Sequence, residues 1–221
     1  GGHTRVVWTQ DLGNGRDVFV RGKHTRLLGL DTRDGRGVRV IRGQPGNHRK
    51  PLITPDGESV VYTDALKSTV HVIGFGGGRP RKLCDGWAAD VRQDPNTGHT
   101  WVYVAVPASA RYAGRKHKGR MEIQRVRLDD ANRSHTVWDR TPVDIDNFQV
   151  SADGTRAGGL FPWSSGGVAL LPNRSWQKLG RGCWTSLSPD DSYLFWIFDG
   201  PHRNVTITDS VTGRDLVPFG H

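Results

Sequence analysis

The stretch FQVSADGTRAGGLF, residues 148–161, joins two short apolar segments through an Ala-Asp-Gly turn. Residues 51–64 (PLITPDGESVVYTD) and 186–199 (SLSPDDSYLFWIFD) follow the same pattern. Looser copies lie at 89–106 (ADVRQDPNTGHTWVYVAV) and 5–20 (RVVWTQDLGNGRDVFV). A strand, a turn and a second strand that recur about every 40 residues are typical of a repeat fold with one small sheet per repeat.

Two further strand-like segments follow each of these hairpins. After residues 51–64, for example, come TVHVIGF (69–75) and PRKLC (80–84), and the glycines between them suit a tight turn. Each unit is therefore predicted to be a four-stranded antiparallel meander. Such meanders arranged around an axis form the blades of a β-propeller, so the sequence predicts an all-β, five-bladed propeller.

The whole chain is assigned to a single β-propeller domain. The predicted blades cover approximately residues 1–43, 44–84, 85–139, 140–180 and 181–221. In this register the chain begins on the inner strand of the first blade. An alternative register makes RVVWTQ (5–10) a second strand and leaves the first blade incomplete, which favours a fragment of a six-bladed propeller.

The turn segments Ile53–Gly57, Val150–Gly154 and Leu187–Asp191 resemble the repeats of the TolB-like and WD40-like bacterial propellers. The resemblance implies the propeller fold and a periplasmic or extracellular location. It implies little about activity, because propellers serve as scaffolds, lectins, receptors and enzymes.

Composition limits the classes of partner. No stretch of the chain approaches the roughly 20 apolar residues of a membrane-spanning helix, so no membrane insertion is expected. The 31 Lys and Arg residues exceed the 22 Asp and Glu residues, and this excess of positive charge favours polyanions. A candidate polyanion contact is the cationic run formed by Arg111, Arg115, Lys116, Lys118 and Arg120.

The two cysteines, Cys84 and Cys183, fall at the outer-strand ends of blades that are not neighbours. A disulfide requires the two Cα atoms to lie within about 7 Å, so we expect two unbridged thiols. The chain has no CxxC motif and no His/Cys cluster, and we expect no cofactor.

The candidate ligand site lies at the channel mouth, where each blade connects to the next. Superposing the repeats on their turn aspartates places Lys50, Asn147 and Trp184 at equivalent positions of this mouth, with Asp90 and Gln149 two residues further in. Loop tryptophans beside glycine, Trp87 and Trp163, add candidate binding surfaces. Amides and charges bind hydroxyl groups while an indole packs on C–H surface, so this set favours a polyhydroxylated ligand.

Histidines at the same mouth, His3 and His48 together with His221, have the chemistry of zinc ligands when carboxylates lie nearby. Their spacing carries no metal-site pattern, and solvated loop histidines are the favoured interpretation, so no metal is predicted.

The favoured function is a non-catalytic binding or scaffold propeller that presents its channel mouth to a carbohydrate or a protein. The alternative is a hydrolase or lyase that acts on an acidic polysaccharide, with Asp90 paired with Asp144 or Asp146 as acid and base. The sequence favours a protein without enzymatic activity, because no G-x-S-x-G nucleophile motif is present. Lightly charged outer strands such as PRKLC also make association through blade edges a candidate.

Overall fold

The protein is described by a computed structural model that covers residues 2–13, 22–107, 121–144 and 147–220. Nineteen β-strands lie within these ranges. The first eleven are β1 (Arg5–Asp11), β2 (Thr25–Asp31), β3 (Arg39–Gly46), β4 (His48–Ile53), β5 (Ser59–Asp64), β6 (Thr69–Gly74), β7 (Gly77–Asp85), β8 (Trp87–Gln93), β9 (Thr100–Pro107), β10 (Met121–Arg127) and β11 (Ser134–Thr141). The remaining eight are β12 (Gln149–Val150), β13 (Arg156–Leu160), β14 (Ser164–Leu170), β15 (Ser175–Gly182), β16 (Trp184–Leu187), β17 (Leu194–Phe198), β18 (Asn204–Asp209) and β19 (Arg214–Gly220).

The strands form five antiparallel sheets that follow one another along the chain. Sheet 1 contains β1–β3, sheet 2 contains β4–β7, sheet 3 contains β8–β11, sheet 4 contains β12–β15 and sheet 5 contains β16–β19. Within each sheet, neighbouring strands are consecutive in sequence, and the first strand of each sheet from sheet 2 onward packs against the preceding sheet. The prediction of an all-β, five-bladed propeller is confirmed.

Sheet 1 has three strands among the described residues, whereas the other four sheets have four. β1 pairs directly with β2, from Arg5 opposite Asp31 to Asp11 opposite Thr25. Strand β1 therefore occupies the second-strand position, as in the alternative register of the sequence. The segment 16–20, which the first register places as a strand after β1, lies outside the described residues.

The core consists of apolar layers between successive sheets. Val60 and Tyr62 of β5 pack with Leu27 of sheet 1, whereas Val61 of the same strand packs with Val102 of sheet 3. Alternate residues of one strand thus enter two different layers. This explains why the second strands are apolar on both faces, since each sheet is buried between two neighbours.

The turn between the first and second strands is held by a short hydrogen-bond network. In sheet 2, the Thr54 hydroxyl donates to Asp56 at 2.6 Å and accepts the N–H of Ser59 at 3.0 Å. In sheet 4, the hydroxyl of Ser151 makes the same two contacts with Asp153 and Arg156. The recurring Ser/Thr-x-Asp sequence is therefore a structural motif that fixes the exit of one strand and the entry of the next.

Both cysteines are free thiols, as predicted. Cys84 lies near the end of β7 on the outer edge of sheet 2, and Cys183 lies between β15 and β16.

Candidate binding site

The propeller has two ends, which carry different kinds of residue. We call the linker face the end formed by the connections between sheets and by the loops from second to third strands. The turn face is the opposite end, where the aspartate turns join first to second strands. The linker face corresponds to the predicted channel mouth.

Side chains of the inner strands connect each sheet to the next. Asp90 of β8 accepts the backbone N–H of Val150 in β12 at 2.7 Å. Gln149 of β12 in turn accepts the backbone N–H of Leu187 in β16 at 3.1 Å. The two predicted ligand-binding residues thus have equivalent roles in holding adjacent inner strands together.

The environment of Asp90 is fully structural. The side chain is buried, and its second oxygen accepts the N–H of Val91 at 2.9 Å. Arg92 lies 3.2 Å from the carboxylate. Burial raises the pKa of Asp90, while the charge of Arg92 and the N–H of Val150 oppose that rise. A raised pKa is a property of general acids, but this carboxylate is already engaged by backbone groups on both oxygens.

Lys50 reaches from sheet 2 to sheet 4. Its ammonium donates to the carbonyl oxygen of Phe148 at 3.2 Å, and its positive charge acts on the nearby Asp90. Asn147, which directly precedes Phe148, is buried, and its carbonyl lies 3.5 Å from the hydroxyl of Thr185. The structure therefore brings the predicted polar residues together around the inner strands and engages them in contacts between sheets.

Two tryptophans are exposed at one position of the linker face. Trp163 is 61% exposed and Trp184 is 44% exposed. Ser164, next to Trp163, pairs with Gly182, and Trp184 follows Gly182 by two residues. Both indoles therefore lie at the boundary between sheets 4 and 5.

The two sheets approach closely at this boundary. A Cβ atom placed on Gly182 would lie 1.7 Å from the carbonyl oxygen of Phe198, which is the residue paired with Trp184. The ring of Phe198 has the exposed His202 as an edge-on neighbour at 6.4 Å. We call Trp163, Trp184, Phe198 and His202 the tryptophan rim. Phe198 and His202 carry no signal in the sequence pattern, although both lie within 18 residues of Trp184 in the same repeat.

Trp87 was predicted to be an exposed loop indole, but it is buried. It begins β8, is 92% buried in the layer between sheets 3 and 4, and has the guanidinium of Arg49 5.9 Å from its ring centroid. Its neighbours on both sides cover the ring, so it contributes to the core and not to an exposed surface.

Of the predicted mouth histidines that the structure describes, His48 lies at the linker face, but His3 lies at the turn face because β1 begins there as a second strand. His3 is exposed and contacts Asp31 at 2.8 Å. His48 is buried, with its Nδ1 3.0 Å from the carbonyl oxygen of Thr25 and its ring edge-on to Tyr62. In the described part of the chain, no three His, Cys, Asp or Glu side chains are grouped so that they could hold a metal ion.

Several predicted residues lie outside the described ranges. They are the cationic run Arg111, Arg115, Lys116, Lys118 and Arg120, the candidate acid or base Asp146, and His221. Asp144 is described and is buried, and its backbone N–H donates to the carbonyl of Leu160.

Solved structures of propeller proteins are similar to this chain over most of its length. TolB from Acinetobacter baumannii matches 90% of the chain with 15% sequence identity and a TM-score of 0.62. A chain of the nidogen–laminin complex matches 89% with 12% identity and a TM-score of 0.59. An oligogalacturonate lyase in complex with manganese matches 98% with 14% identity and a TM-score of 0.53. The fold is that of a TolB-like β-propeller.

The chain spans about half of the solved TolB chain, at 49%, and covers 72% of the nidogen–laminin chain and 62% of the lyase chain. No protein-family model and no curated protein matches the sequence. Within the described ranges, no helix has the length and apolar character needed to cross a membrane.

Proposed function

We propose that this propeller is a non-catalytic binding module that holds a carbohydrate on its linker face through the tryptophan rim. The observation that carries the proposal is the exposure of Trp163 and Trp184 at one boundary between sheets. Large indoles are costly to leave in water, and two exposed ones at the same sheet boundary form a surface suited to a partner.

The chemistry around the rim supports a polyhydroxylated ligand. Indole faces pack on the C–H surface of a sugar ring, while polar groups at the edge bind its hydroxyls. Arg181 and Asn204 are exposed on strands that border the rim, and they supply such donors. The inner residues Lys50, Asp90, Asn147 and Gln149 support the inner strands behind this surface.

A protein partner on the same rim is the second candidate, and the similarity to a chain of the nidogen–laminin complex favours it. Association through the outer strands β7 and β15 is proposed as a separate mode of assembly. A periplasmic or extracellular location is proposed with either partner, and the likeness to TolB structures supports it.

The enzymatic alternative is a lyase or hydrolase acting on an acidic polysaccharide, and the likeness to an oligogalacturonate lyase favours it. Its candidate acid and base are Asp90 with Asp144 or Asp146. The burial of Asp90 and its two backbone contacts argue against a role in which it must reach a substrate.

A glycan array that includes neutral and uronate-containing oligosaccharides tests the proposal. Trp184→Ala and Trp163→Ala should each weaken binding at least about tenfold, because a tryptophan at the centre of a contact commonly contributes about 2 kcal/mol or more. Val211→Ala is the matched control, since Val211 is 58% exposed but lies in the turn between β18 and β19.

The outcomes separate the three functions. Binding that depends on the two tryptophans, without product, supports the carbohydrate-binding module. Release of product from a uronate polymer by the wild type establishes the enzyme instead. Absence of any glycan binding rejects the carbohydrate proposal and leaves the protein partner.

A further inference from the structure

A small cleft lies on the turn face between sheets 3 and 4, on the opposite end from the tryptophan rim. It is lined by Arg92, Asp94, Trp101, Tyr103, Arg125 and Gly154, and it has a volume of about 70 Å³. The cleft brings two arginines and two aromatic rings together at a junction between sheets.

Two other junctions are bridged by an arginine that begins a second strand. Between sheets 1 and 2, Arg5 donates to the carbonyl of Gly57 at 2.6 Å and to the carboxylate of Glu58 at 2.8 Å. Between sheets 4 and 5, the guanidinium of Arg156 lies 4.3 Å from the ring centroid of Tyr193. These contacts connect one sheet to the aspartate turn of the next.

The junction between sheets 3 and 4 has a different residue at this position. The backbone N–H of Asp94 donates to the carbonyl of His99, just as that of Ser151 donates to the carbonyl of Arg156. His99 is therefore the equivalent of the bridging arginine, but it is exposed and does not line the cleft. The cleft occupies the space that the arginine side chain spans at these two junctions.

The acceptors that line the cleft already have donors. One oxygen of Asp94 accepts the backbone N–H groups of Asn96 and Thr97. Asp153, at the far wall, accepts from the hydroxyls of its own turn and from Tyr193 at 2.6 Å. These carboxylates are held by their turns, so they present little capacity for a further donor.

The donors of the cleft, in contrast, have spare capacity. Trp101 is 93% buried, and its indole N–H has no hydrogen-bond partner within the described residues. Arg125 stacks over Trp101 at 4.5 Å from the ring centroid, and its nearest carboxylate contact, to Asp94, is 3.8 Å long. That distance exceeds a hydrogen bond, and although Arg125 also contacts the hydroxyl of Tyr103, its guanidinium has five N–H groups and keeps some of them for an incoming acceptor.

We propose that this cleft binds a single carboxylate group, with Arg125, stacked on the buried indole of Trp101, as the main contact. A planar guanidinium binds a carboxylate through two parallel hydrogen bonds, which makes it the preferred partner of that group. The small volume accommodates one carboxylate and its attached methylene groups rather than a sugar ring. The contact between Arg5 and Glu58 provides the internal precedent at an equivalent junction.

The carboxylate has two natural sources, an acidic side chain or the C-terminus of a partner chain. The peptides Ac-Gly-Glu-Gly-NH₂ and Ac-Gly-Gly-Gly-OH present one source each, and Ac-Gly-Gln-Gly-NH₂ is the neutral control. The indole N–H resonance of Trp101 in ¹⁵N-labelled protein, assigned with Trp101→Phe, is the readout. Because the wild type is titrated, the test does not depend on the folding of a variant.

We expect at least one carboxylate peptide to shift this resonance with a saturable, roughly millimolar affinity, as suits one charged contact. The glutamine peptide should leave it unchanged. Arg125→Gln should weaken binding at least about tenfold. Arg133→Gln, which removes an exposed arginine from the other turn of the same sheet, should not.

Two results would overturn the proposal. One is no shift with either carboxylate peptide up to about 20 mM, a concentration at which even a millimolar site is nearly filled. The other is an equal shift with the glutamine peptide, which would show that the charge is not recognised. Loss of glycan binding at the tryptophan rim bears on neither result, because the two sites lie on opposite faces.

Discussion

The hydroxyl of Ser151 connects the first two strands of sheet 4 to the turn between them, and its removal gives a quantitative test of the turn motif. The hydroxyl donates to Asp153 at 2.5 Å and accepts the N–H of Arg156 at 3.1 Å. Ser151 is completely buried, so water cannot replace these bonds when the side chain is shortened. Ser151→Ala therefore leaves a backbone N–H and a carboxylate oxygen each short of one partner.

The expected loss follows from these two bonds. A hydrogen bond between neutral groups contributes about 1 kcal/mol net, and one to a charged group contributes about 1.5 kcal/mol or more. The sum predicts that the free energy of unfolding falls by about 2–3 kcal/mol. For a chain of this size each 1 kcal/mol lowers the melting temperature by roughly 2–4 °C, so a drop of about 5–10 °C is expected.

The pKa of Asp153 gives a second readout of the same network. Burial acts to raise this pKa, but the hydroxyls of Ser151, Thr155 and Tyr193 outweigh burial and hold it well below its usual range. A depressed pKa means that the ionised carboxylate stabilises the fold at neutral pH, and this contribution is lost as the pH falls through the folded-state value. The stability difference between wild type and Ser151→Ala should therefore shrink in acid.

Urea denaturation followed by tryptophan fluorescence measures the change, and Ser188→Ala is the matched control. Ser188 donates to Asp190 at 2.6 Å in the equivalent turn of sheet 5, but that bond is exposed to solvent. The control should lose less than half as much stability as Ser151→Ala. Equal losses in the two variants would refute the argument that burial determines the value of the turn motif.

Three further predictions concern pH, packing and thiol reactivity. Burial lowers the pKa of His48 from 6.5, so the unfolded chain binds more protons below that pH. The melting temperature should fall as the pH is lowered from about 7.5 to 5.5. Calorimetric scans of His48→Gln should show a weaker dependence of the melting temperature on pH. Gly167→Ala would place a methyl carbon 2.0 Å from a backbone carbonyl oxygen and should lower the melting temperature by about 5 °C or more. Gly76→Ala is the control, because a methyl group at Gly76 would meet open space. Burial raises the pKa of Cys84 to about 11, so its alkylation by iodoacetamide near pH 8, measured by mass spectrometry in Cys183→Ser, should be much slower in folded than in unfolded protein.

The repeat was readable in the sequence because its turns need specific chemistry. A hydroxyl and a carboxylate two residues apart are required to hold the strand ends, as Thr54 with Asp56 and Ser151 with Asp153 show. Such local requirements recur in sheets 2, 4 and 5, so they leave a periodic signal. The number of sheets and their antiparallel order follow from it.

The register of the first sheet was harder to predict, because a turn-like sequence follows β1 and wrongly indicates that β1 is a first strand. Asp11 and the glycines after it resemble the turn between first and second strands, which is why residues 5–20 were assigned to one hairpin. The strand itself carries the contrary signal, since RVVWTQ (5–10) closely resembles SVVYTD (59–64), the second strand of sheet 2. The two strands also contact the next sheet at the equivalent threonine. The hydroxyl of Thr9 donates to the carbonyl oxygen of His48 in sheet 2, and the hydroxyl of Thr63 accepts the N–H of Ala88 in sheet 3.

The site residues could be placed at one end of the propeller from sequence, but their exposure could not. Trp87 and Trp184 both follow glycine or cysteine at the start of an inner strand, yet one is 8% exposed and the other 44%. The difference comes from the neighbouring sheets, which cover Trp87 with Arg49 and leave Trp184 open. Such coverage depends on residues far away in the chain, and a repeat pattern does not record it.

The two proposed sites follow from one property of a propeller, namely that each junction between sheets is built by different side chains on a common backbone. Where the side chains at a junction satisfy one another, as Arg5 does with Glu58, the junction is closed. Where the equivalent residue turns outward, as at His99, donors remain without acceptors and a binding site results. On the linker face, Gly182 brings sheets 4 and 5 close together, and the exposed Trp184 begins the strand next to this contact. Binding sites in this fold are therefore expected where one repeat departs from the others, and the departures can be read from aligned repeats before any ligand is known.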